Sequence, residues 1–409
     1  MTTPSASIPI ADHERADVLD ALRSFALLGI LVSHVPEFSG YEWMTHGEQA
    51  ALDRFGIDGP LAAISEFLIR GKFFSLFSLL FGIGFAVQLE SAMRRGADFT
   101  RHFARRLAIL FVIGMAHALI WYGDILKDYA LIGLLLIVTA RWSIAGTGWA
   151  AASILVLRAI WPLAMFASIV WLAPLKHDAN PGNDFVALAR TFEGTDLAAS
   201  FAANLELLRL KALQMIYDGK AISVLGMFLL GAYIGKRRLY RDLASNAPLF
   251  RRVLYVAAPL GILGNAALVP IHGATTDYPP SAMWVMEQTL FAIAVPAMTL
   301  AYASAFALAW QSPFGRLLRL LAPAGRMALT TYVSQTLICV AVFYGIGLNL
   351  HCSIGLAECM AFALAVFTLQ CLVSAIWLSH FRFGPLEWIW RRATYGTKLP
   401  MLRRSVVAA

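Results

Sequence analysis

The feature that most constrains this chain is a series of long apolar stretches that contain almost no charge. Such stretches, each of about 17–25 residues, recur along the whole sequence. Hydrophobic residues make up 59% of the 409 positions and charged residues only 14%, whereas a soluble domain has roughly 25% charged residues. A chain with so little polar surface cannot cover itself in water, which excludes soluble, disordered, collagen-like and disulfide-scaffold proteins. The sequence predicts an all-α fold, a polytopic transmembrane helical bundle.

We predict about ten spans with both termini in the cytoplasm. The spans are residues 19–36, 73–90, 105–122, 126–141, 149–172, 220–236, 253–270, 283–310, 327–347 and 356–380. The transmembrane helical domain therefore covers residues 19–380. It is preceded by a cytoplasmic segment (1–18), contains two long extracytoplasmic loops (37–72 and 173–219), and is followed by a cytoplasmic amphipathic tail (381–409).

The distribution of Lys and Arg sets this orientation. With the N-terminus inside, 23 of the 33 basic residues fall in inner segments, 9 fall in outer segments, and Arg158 lies within a span. Cytoplasmic segments of membrane proteins carry such an excess of positive charge. The net charge of +8 is therefore explained by orientation, and we expect no nucleic-acid partner. The predicted partner is the lipid bilayer, and the predicted location is the bacterial cytoplasmic (inner) membrane, with several passes.

Polar residues are energetically unfavourable within a lipid bilayer, so each one in or near a span needs an explanation. The first group of them lies at the start of span one. Asp20 and Arg23 are three residues apart and can pair on one helical face, with Arg15 a little upstream. These residues either form a capped inner helix end or, because guanidinium groups match phosphates, a site for an anion or acyl donor. His34 lies about 16 Å further along the same helix, near the outer face.

The second group is the most specific indication of a functional site, and it contains His117 and Asp124. They are seven residues apart, with Gly123 between them as a helix breaker, so Asp124 can cap the next span while it faces back toward His117. A histidine that a carboxylate orients can act as a general base or a nucleophile. The alternative is a histidine that bonds between helices beside a capping aspartate. Trp121 fits the aromatic belt at a membrane interface or a substrate contact.

Four further polar residues lie at span ends or within spans. Lys72 precedes a helix whose small residues suit close packing, and it is a candidate substrate contact. Arg158 stands four residues before Pro162, so it either faces inward on a kinked helix or snorkels. Glu287 either lines a cavity or lies among headgroups, and Arg326 opens span nine. The four cysteines show no metal-ligand spacing, so we expect packing residues and no metal site.

Five stretches taken together resemble one known family. They are LDALRSFALLGIL, KFFSLFSLLFGIGF, GMAHALIWYGDIL, GRMALTTYVSQTLI and FGPLEWIWRRATY. In this order they resemble the YeiB family of bacterial polytopic membrane proteins, within the transmembrane acyltransferase superfamily that includes lysosomal heparan-alpha-glucosaminide N-acetyltransferase. The chain departs from the family pattern at Ser24, His34 and Thr331, and His34 adds a second candidate base near His117.

The resemblance implies an acyl-CoA-dependent membrane acyltransferase. Its relatives take an acyl group from cytoplasmic acyl-CoA (here acetyl-CoA first of all) to an acceptor across the membrane, with an intramembrane histidine near the chemistry. The implied acceptor is a hydroxyl or amine of an envelope glycan, a lipid or a small molecule, and no metal is implied. The candidate residues are His117, Asp124 and His34 for catalysis, Arg15, Asp20, Arg23 and Arg326 for the donor, and Lys72, Trp121, Arg158 and Glu287 for the substrate.

The alternative function is a transporter or exporter of a small anionic or lipidic solute. Arg158, Glu287 and the kinked spans five and seven would serve it, but the sequence has no convincing internal repeat, which many transporters have. The sequence does not determine the acceptor, the acyl length or the oligomeric state. A homodimer is one of the possible states.

Overall fold

The computed structural model describes residues 16–172, 181–272, 281–396 and 399–403. In these ranges the chain is helical, apart from turns and one antiparallel bridge between Phe381 and Leu402, which confirms the all-α prediction for this part. The α-helices are α1 (Asp17–Phe38), α2 (His46–Leu52), α3 (Asp58–Leu68), α4 (Lys72–Arg94), α5 (Phe99–Ala118), α6 (Leu126–Val138), α7 (Ile144–Leu172), α8 (Pro181–Arg190), α9 (Leu197–Tyr217), α10 (Lys220–Lys236), α11 (Ala247–His272), α12 (Ala282–Trp310), α13 (Gly315–Leu318), α14 (Ala322–Arg326), α15 (Ala328–Phe343), α16 (Leu356–His380) and α17 (Pro385–Tyr395). The predicted donor residue Arg15 lies outside the described residues.

Six helical segments of the described chain are long and apolar enough to cross a membrane. They comprise α1, α3 with α4, α7, α11, α12 and α16. Two bent pairs raise the number to eight: α9 with α10, bent by 66°, and α13–α14 with α15, bent by 78°. The protein is therefore a multi-pass membrane protein with six to eight candidate spans, and the predicted count of ten is not confirmed.

The difference from ten concerns α5 and α6. The helix α5 carries Arg101, Arg105 and Arg106 in its first half, so its apolar part is short. The helix α6 has only 13 residues, too few to cross hydrocarbon about 30 Å thick at 1.5 Å per residue. The two helices instead pack together and close one side of the bundle beside α4 and α10.

The first helix lies at the centre of the molecule. It packs against α4, α14, α15 and α16, and its buried side chains include Leu22, Leu27, Leu31 and Val35. Its first turn contains Asp17 and Asp20, whose charges favour a helix N-terminus. The chain leaves the helix at Ser39 and turns at Gly40, which has a left-handed φ of 78°. The helices that pack around α1 therefore share one long helical surface as their common contact.

The helices α4 and α10 cross at backbone contact. A Cβ atom added to Gly82 would lie 2.0 Å from the Phe228 carbonyl oxygen, and one added to Gly231 would lie 2.0 Å from the Leu79 carbonyl oxygen. The packing prediction for the small residues of α4 is confirmed at Gly82. Such close approach strengthens helix association where the surrounding lipid provides no hydrophobic drive.

The outer helices present apolar side chains to their surroundings. Trp149 of α7, Leu263 of α11 and Ile376 of α16 are 75%, 71% and 65% exposed. Contiguous exposed apolar surface of this kind is unfavourable in water and matches a lipid bilayer.

Candidate functional site

A cavity of about 310 Å³ runs along one face of α1. The α1 residues that line it include Asp20, Arg23, Leu27, Ile30 and His34, and their spacing of three or four residues is that of a single helical face. The cavity therefore follows α1 for about 16 Å between Arg23 and His34. Helices α4, α5, α6, α10, α14, α15 and α17 contribute to the other walls.

The two ends of this cavity differ in chemistry. The end near the start of α1 is lined by four guanidinium groups, those of Arg23, Arg106, Arg326 and Arg391. The carboxylates that line the same end belong to Asp20 and Glu387, so the arginines are in excess. The middle is apolar, with Phe77, Leu80, Phe81, Leu107 and Leu110 among its lining residues. The far end contains His34, Lys220 and Tyr332.

The basic end is assembled from helices that lie far apart in the sequence. Arg23 pairs with Asp20 on the same turn of α1, as the sequence predicted. Arg106 of α5 stacks on the Trp390 ring of α17 at 3.6 Å, while the Trp390 indole N–H donates to the Arg106 carbonyl at 2.9 Å. This double contact fixes the amphipathic tail helix against α5.

Glu387 of α17 anchors the start of α15 beside this end. Its carboxylate accepts hydrogen bonds from the Leu329 N–H (2.7 Å), the Thr330 N–H (3.1 Å) and the Thr330 hydroxyl (2.6 Å). The two backbone donors are N–H groups that a helix leaves unpaired in its first turn. Burial raises the pKa of the Glu387 carboxyl above its usual range, and the hydrogen bonds from Thr330 and Leu329 oppose that rise.

His117 and Asp124 form a buried pair close to the far end of the cavity. The His117 Nδ1 atom lies 2.7 Å from Asp124 Oδ1, and both side chains are 1% exposed or less. The helix α5 ends at Ala118, and the turn through Gly123 brings Asp124 back toward the histidine. Asp124 Oδ2 also accepts the Lys127 N–H at 3.0 Å, so the aspartate caps α6 and orients His117 together.

The second imidazole nitrogen, His117 Nε2, is buried and has no hydrogen-bond partner among the described residues. The His117 ring lies 5.2 Å from the ring of Tyr332, which lines the cavity. His117 itself does not line it, whereas Gly123, next to Asp124, does. The oriented imidazole thus lies one residue behind the cavity wall, in contact with Tyr332.

His34 and Trp121 complete this end. The two rings lie 4.6 Å apart, and Trp121 also packs at 4.4 Å on Phe38. Trp121 is 0% exposed, so protein covers the whole ring, and its role as a substrate contact stays a prediction. The aromatic neighbours of the indole include His34 and Phe38 of α1 and His117 of α5. The Trp121 indole thus lies between His34 and His117.

Sequence reasoning missed two charged residues here: Lys211, which lies in the predicted outer loop 173–219, and Lys220, which begins the predicted span 220–236. Lys211 lies 3.4 Å from Glu37, the last acidic residue of α1, and 5.2 Å from the centre of the Phe185 ring. Lys220 lines the cavity and lies 4.7 Å from the centre of the Phe74 ring. The bend between α9 and α10 turns this predicted outer loop back onto the bundle, which no local pattern indicates.

Three predicted substrate residues lie elsewhere. Lys72 is 0% exposed, and its Nζ donates to the Glu66 carbonyl at 2.6 Å in the last turn of α3. Arg158 donates to the Ser223 hydroxyl at 3.1 Å and to Gln288 Oε1 at 3.0 Å. Glu287 pairs with Arg70 at 3.5 Å. None of Lys72, Arg158 and Glu287 lines the large cavity, and their substrate roles stay predictions.

The cavity combines three chemically different regions. The arginines provide planar donors for phosphate oxygens, the apolar middle admits an extended uncharged chain, and the far end holds an oriented imidazole. Arg326 lines the basic end, and its place in donor binding stays a prediction.

Comparison with known proteins extends over nearly the whole chain. Residues 234–397 match the family model described as "Protein of unknown function (DUF418)". The chain is 29% identical to "Uncharacterized protein YxaH" of Bacillus subtilis (strain 168), over 98% of this chain and 99% of that protein. It is also 29% identical to "Uncharacterized protein YeiB" of Escherichia coli (strain K12), over 96% and 99%. The similarity to "Uncharacterized 39.9 kDa protein in amylase 3'region" of Bacillus acidopullulyticus is 28%, over 96% and 98%.

No solved structure matches the chain. The DUF418 match covers α11 to α17, and so includes Arg326, Tyr332 and Glu387 at the cavity. The matches support a YeiB-like protein, as the sequence motifs predict. None of the three names states an activity, so the function is argued from the site.

Proposed function

We propose that this protein is an integral-membrane acyltransferase. It moves an acyl group from cytoplasmic acyl-CoA to a hydroxyl or amine on the other side of the bacterial inner membrane. The observation that carries the proposal is the single cavity with four arginines at one end and His34, Tyr332 and the His117–Asp124 pair at or next to the other. The proposal also places the chain in the acyltransferase superfamily that the sequence motifs resemble.

The donor enters from the basic end. Arg23, Arg106, Arg326 and Arg391 bind the phosphates of coenzyme A, because guanidinium forks pair with phosphate oxygens in charge-assisted hydrogen bonds. Asp20 holds Arg23 in position, since the two side chains are already paired. The pantetheine arm then extends along the apolar middle of the cavity, and the thioester reaches the end that contains His34.

The chemical step uses the His117–Asp124 pair. His117 Nε2 removes the proton from the acceptor O–H or N–H while the acceptor atom attacks the thioester carbonyl. The carbon–sulfur bond then breaks, and the leaving thiolate takes the proton back from the imidazolium. Asp124 stabilises that imidazolium through Nδ1. General-base catalysis of this kind contributes about 10²–10⁴-fold; transient acylation of His117 is the covalent variant of the same route.

The transporter alternative relies on residues that the cavity does not use. Arg158 and Glu287 would have to line a solute pathway, but both bind neighbouring helices and lie away from the cavity. No observation therefore favours transport over transfer.

The test uses the full-length protein in nanodiscs with acetyl-CoA labelled on the acetyl group. An extract of envelope glycans and lipids provides acceptors, and both labelled product and released CoA are measured. Wild-type protein transfers label, and His117→Ala lowers the rate about 10²–10⁴-fold. His46→Ala is the matched control, because His46 is an exposed histidine on α2, and it keeps the wild-type rate.

Two outcomes overturn parts of the proposal. If wild-type protein neither transfers label nor gains thermal stability from acetyl-CoA, the acyltransferase function is wrong. If His34→Ala abolishes transfer while His117→Ala does not, His34 is the base and the assignment to His117 is wrong.

A further inference from the structure

Three ligand-type side chains meet at the end of the molecule where α1 ends. They are Glu193, in the turn after α8, and His351 and Cys352, in the segment between α15 and α16. Cys352 Sγ lies 3.3 Å from His351 Nδ1 and 3.5 Å from Glu193 Oε1. His351 Nδ1 lies 3.5 Å from the same carboxylate oxygen. The three atoms therefore form a nearly equilateral triangle.

The sides of this triangle are those of one face of a zinc tetrahedron. Zinc bonds are about 2.3 Å to thiolate sulfur and about 2.0–2.1 Å to imidazole nitrogen and carboxylate oxygen. With tetrahedral angles these lengths separate the ligand atoms by about 3.3–3.6 Å. A mixed sulfur, nitrogen and oxygen set of this kind suits zinc and disfavours calcium or magnesium, which take oxygen ligands.

The backbone around the triangle is shaped to hold it. A Cβ atom on Gly40 would lie 2.4 Å from His351 Cε1 and 2.7 Å from Cys352 Sγ, so this glycine makes room for both side chains. The Cys352 N–H donates to the Ser39 carbonyl at 2.7 Å, and Cys352 has a positive φ of 51°. Non-glycine residues rarely adopt that conformation, and strained backbone concentrates at functional sites.

A second glycine positions the Glu193 turn. The Gly345 N–H donates to the Phe192 carbonyl at 2.8 Å. A Cβ atom on Gly345 would lie 2.3 Å from the Glu193 carbonyl oxygen, so only glycine allows this approach. The His351 side chain is 2% exposed, whereas the Glu193 side chain is 43% exposed. The triangle of ligand atoms is thus buried at His351 and accessible to solvent at Glu193.

We infer that Glu193, His351 and Cys352 bind one zinc ion and leave its fourth position open to water or an external ligand. On binding, the thiol gives its proton to the solvent and the thiolate bonds to the metal. Three protein ligands with an open fourth position are the pattern of catalytic zinc centres, while closed four-ligand sites are structural. The site lies on the predicted extracytoplasmic side and is independent of the proposed acyl transfer.

The test loads the metal-free, full-length protein in nanodiscs, made with a purification tag that contains no histidine, with Zn²⁺ or Co²⁺ alone. Elemental analysis after desalting gives one zinc per chain, and Zn²⁺ raises the melting temperature. Co²⁺ produces a thiolate-to-metal charge-transfer band. Cys352→Ser abolishes that band and weakens binding at least tenfold, whereas Cys371→Ser, which changes a cysteine within α16, keeps both.

Two further variants separate a built site from an incidental cluster. Gly40→Ala leaves all three ligands in the chain but displaces His351 and Cys352, so it also weakens zinc binding at least tenfold. Glu193→Gln removes the exposed ligand and does the same while the chain keeps its fold. If wild-type protein holds no stoichiometric zinc, or if the charge-transfer band survives Cys352→Ser, the three side chains form only a hydrogen-bonded cluster and the inference is wrong.

Discussion

His117 has its two ring nitrogens in different surroundings. Nδ1 faces Asp124 at 2.7 Å, and Nε2 is buried with no hydrogen-bond partner in the described part of the chain. A carboxylate at Nδ1 fixes the tautomer and stabilises the protonated ring, which makes the opposite nitrogen the basic one. This asymmetry, rather than the presence of a histidine, makes the residue a candidate for catalysis.

The role of Asp124 can be tested by removing its charge alone. Asp124→Asn keeps the shape of the side chain but no longer stabilises an imidazolium, so we expect transfer to fall about 10²-fold. The KM for acetyl-CoA stays unchanged, because Asp124 lies away from the donor end. The measurement is the steady-state rate in nanodiscs. Asp128→Asn is the control, since Asp128 pairs with Lys127 in the same region; an equal loss in both variants would contradict the assignment.

Glu387 predicts a pH dependence of stability. Burial raises its pKa in the folded protein above the ordinary value of 4.5, so folding favours the protonated form. The stabilisation is therefore complete below pH 4.5 and is lost as the pH rises through the raised pKa. We expect the melting temperature of wild type, relative to that of Glu387→Gln, to fall from pH 4.5 toward neutral pH. A difference that grows with pH would show that the ionised carboxylate is the stabilised form.

At the scale of elements, the crossing of α4 and α10 depends on glycines in both helices. The sequence indicates the role of those in α4 but not that of those in α10. The pattern of small residues in α4 indicates a packing face, but it does not name the partner helix. Gly231 reveals the partner, because its Cα approaches the Leu79 carbonyl and Gly82. Helix pairing is decided by which small residues face each other in space, and such pairs are far apart in the chain.

We expect Gly231→Ala to force these two helices apart. The added methyl group would overlap the Leu79 carbonyl oxygen, and overpacking costs about 1–3 kcal/mol. The melting temperature in nanodiscs falls accordingly. Gly84→Ala on α4 is the matched control, since the nearest atom to its Cβ is Arg23 Nη2 at 3.9 Å. Equal melting temperatures for the two variants would mean that the crossing has room to relax.

At the scale of the whole molecule, the cavity joins a basic end to a histidine end. Residues from α1, α4, α5, α15 and α17 line it, so its existence depends on the packing of the entire bundle. A channel of this length lets a long substrate place its charged and reactive ends in different environments. The proposed transfer needs a continuous cavity between the basic end and the histidine end. Blocking the cavity therefore provides a direct test of the proposal.

Gly84 lines the cavity beside Arg23, so a large side chain there fills it without a clash at Cβ. We expect Gly84→Trp to abolish stabilisation by acetyl-CoA and to lower transfer at least about tenfold, while the melting temperature without ligand changes little. Gly84→Ala retains binding. Full acetyl-CoA binding by Gly84→Trp would mean that the donor enters elsewhere.

The sequence by itself determined the class of this protein. Apolar runs and scarce charge require a helical membrane protein, because backbone polar groups in lipid must be paired within a helix. The pairing of Asp20 with Arg23 and the approach of Asp124 to His117 also follow from local spacing, since a few residues of helix or turn set those distances. These features depend on neighbours in the chain.

Only the tertiary structure decided which distant residues meet. It turned Lys211 and Lys220 inward at a bend, bonded Arg158 and Lys72 to other helices, and stacked Arg106 on α17. It also brought Glu193 to His351 and Cys352, which no spacing in the sequence connects. Apolar periodicity shows that a helical face is buried but not which helix covers it, because many partners satisfy the same hydrophobic surface.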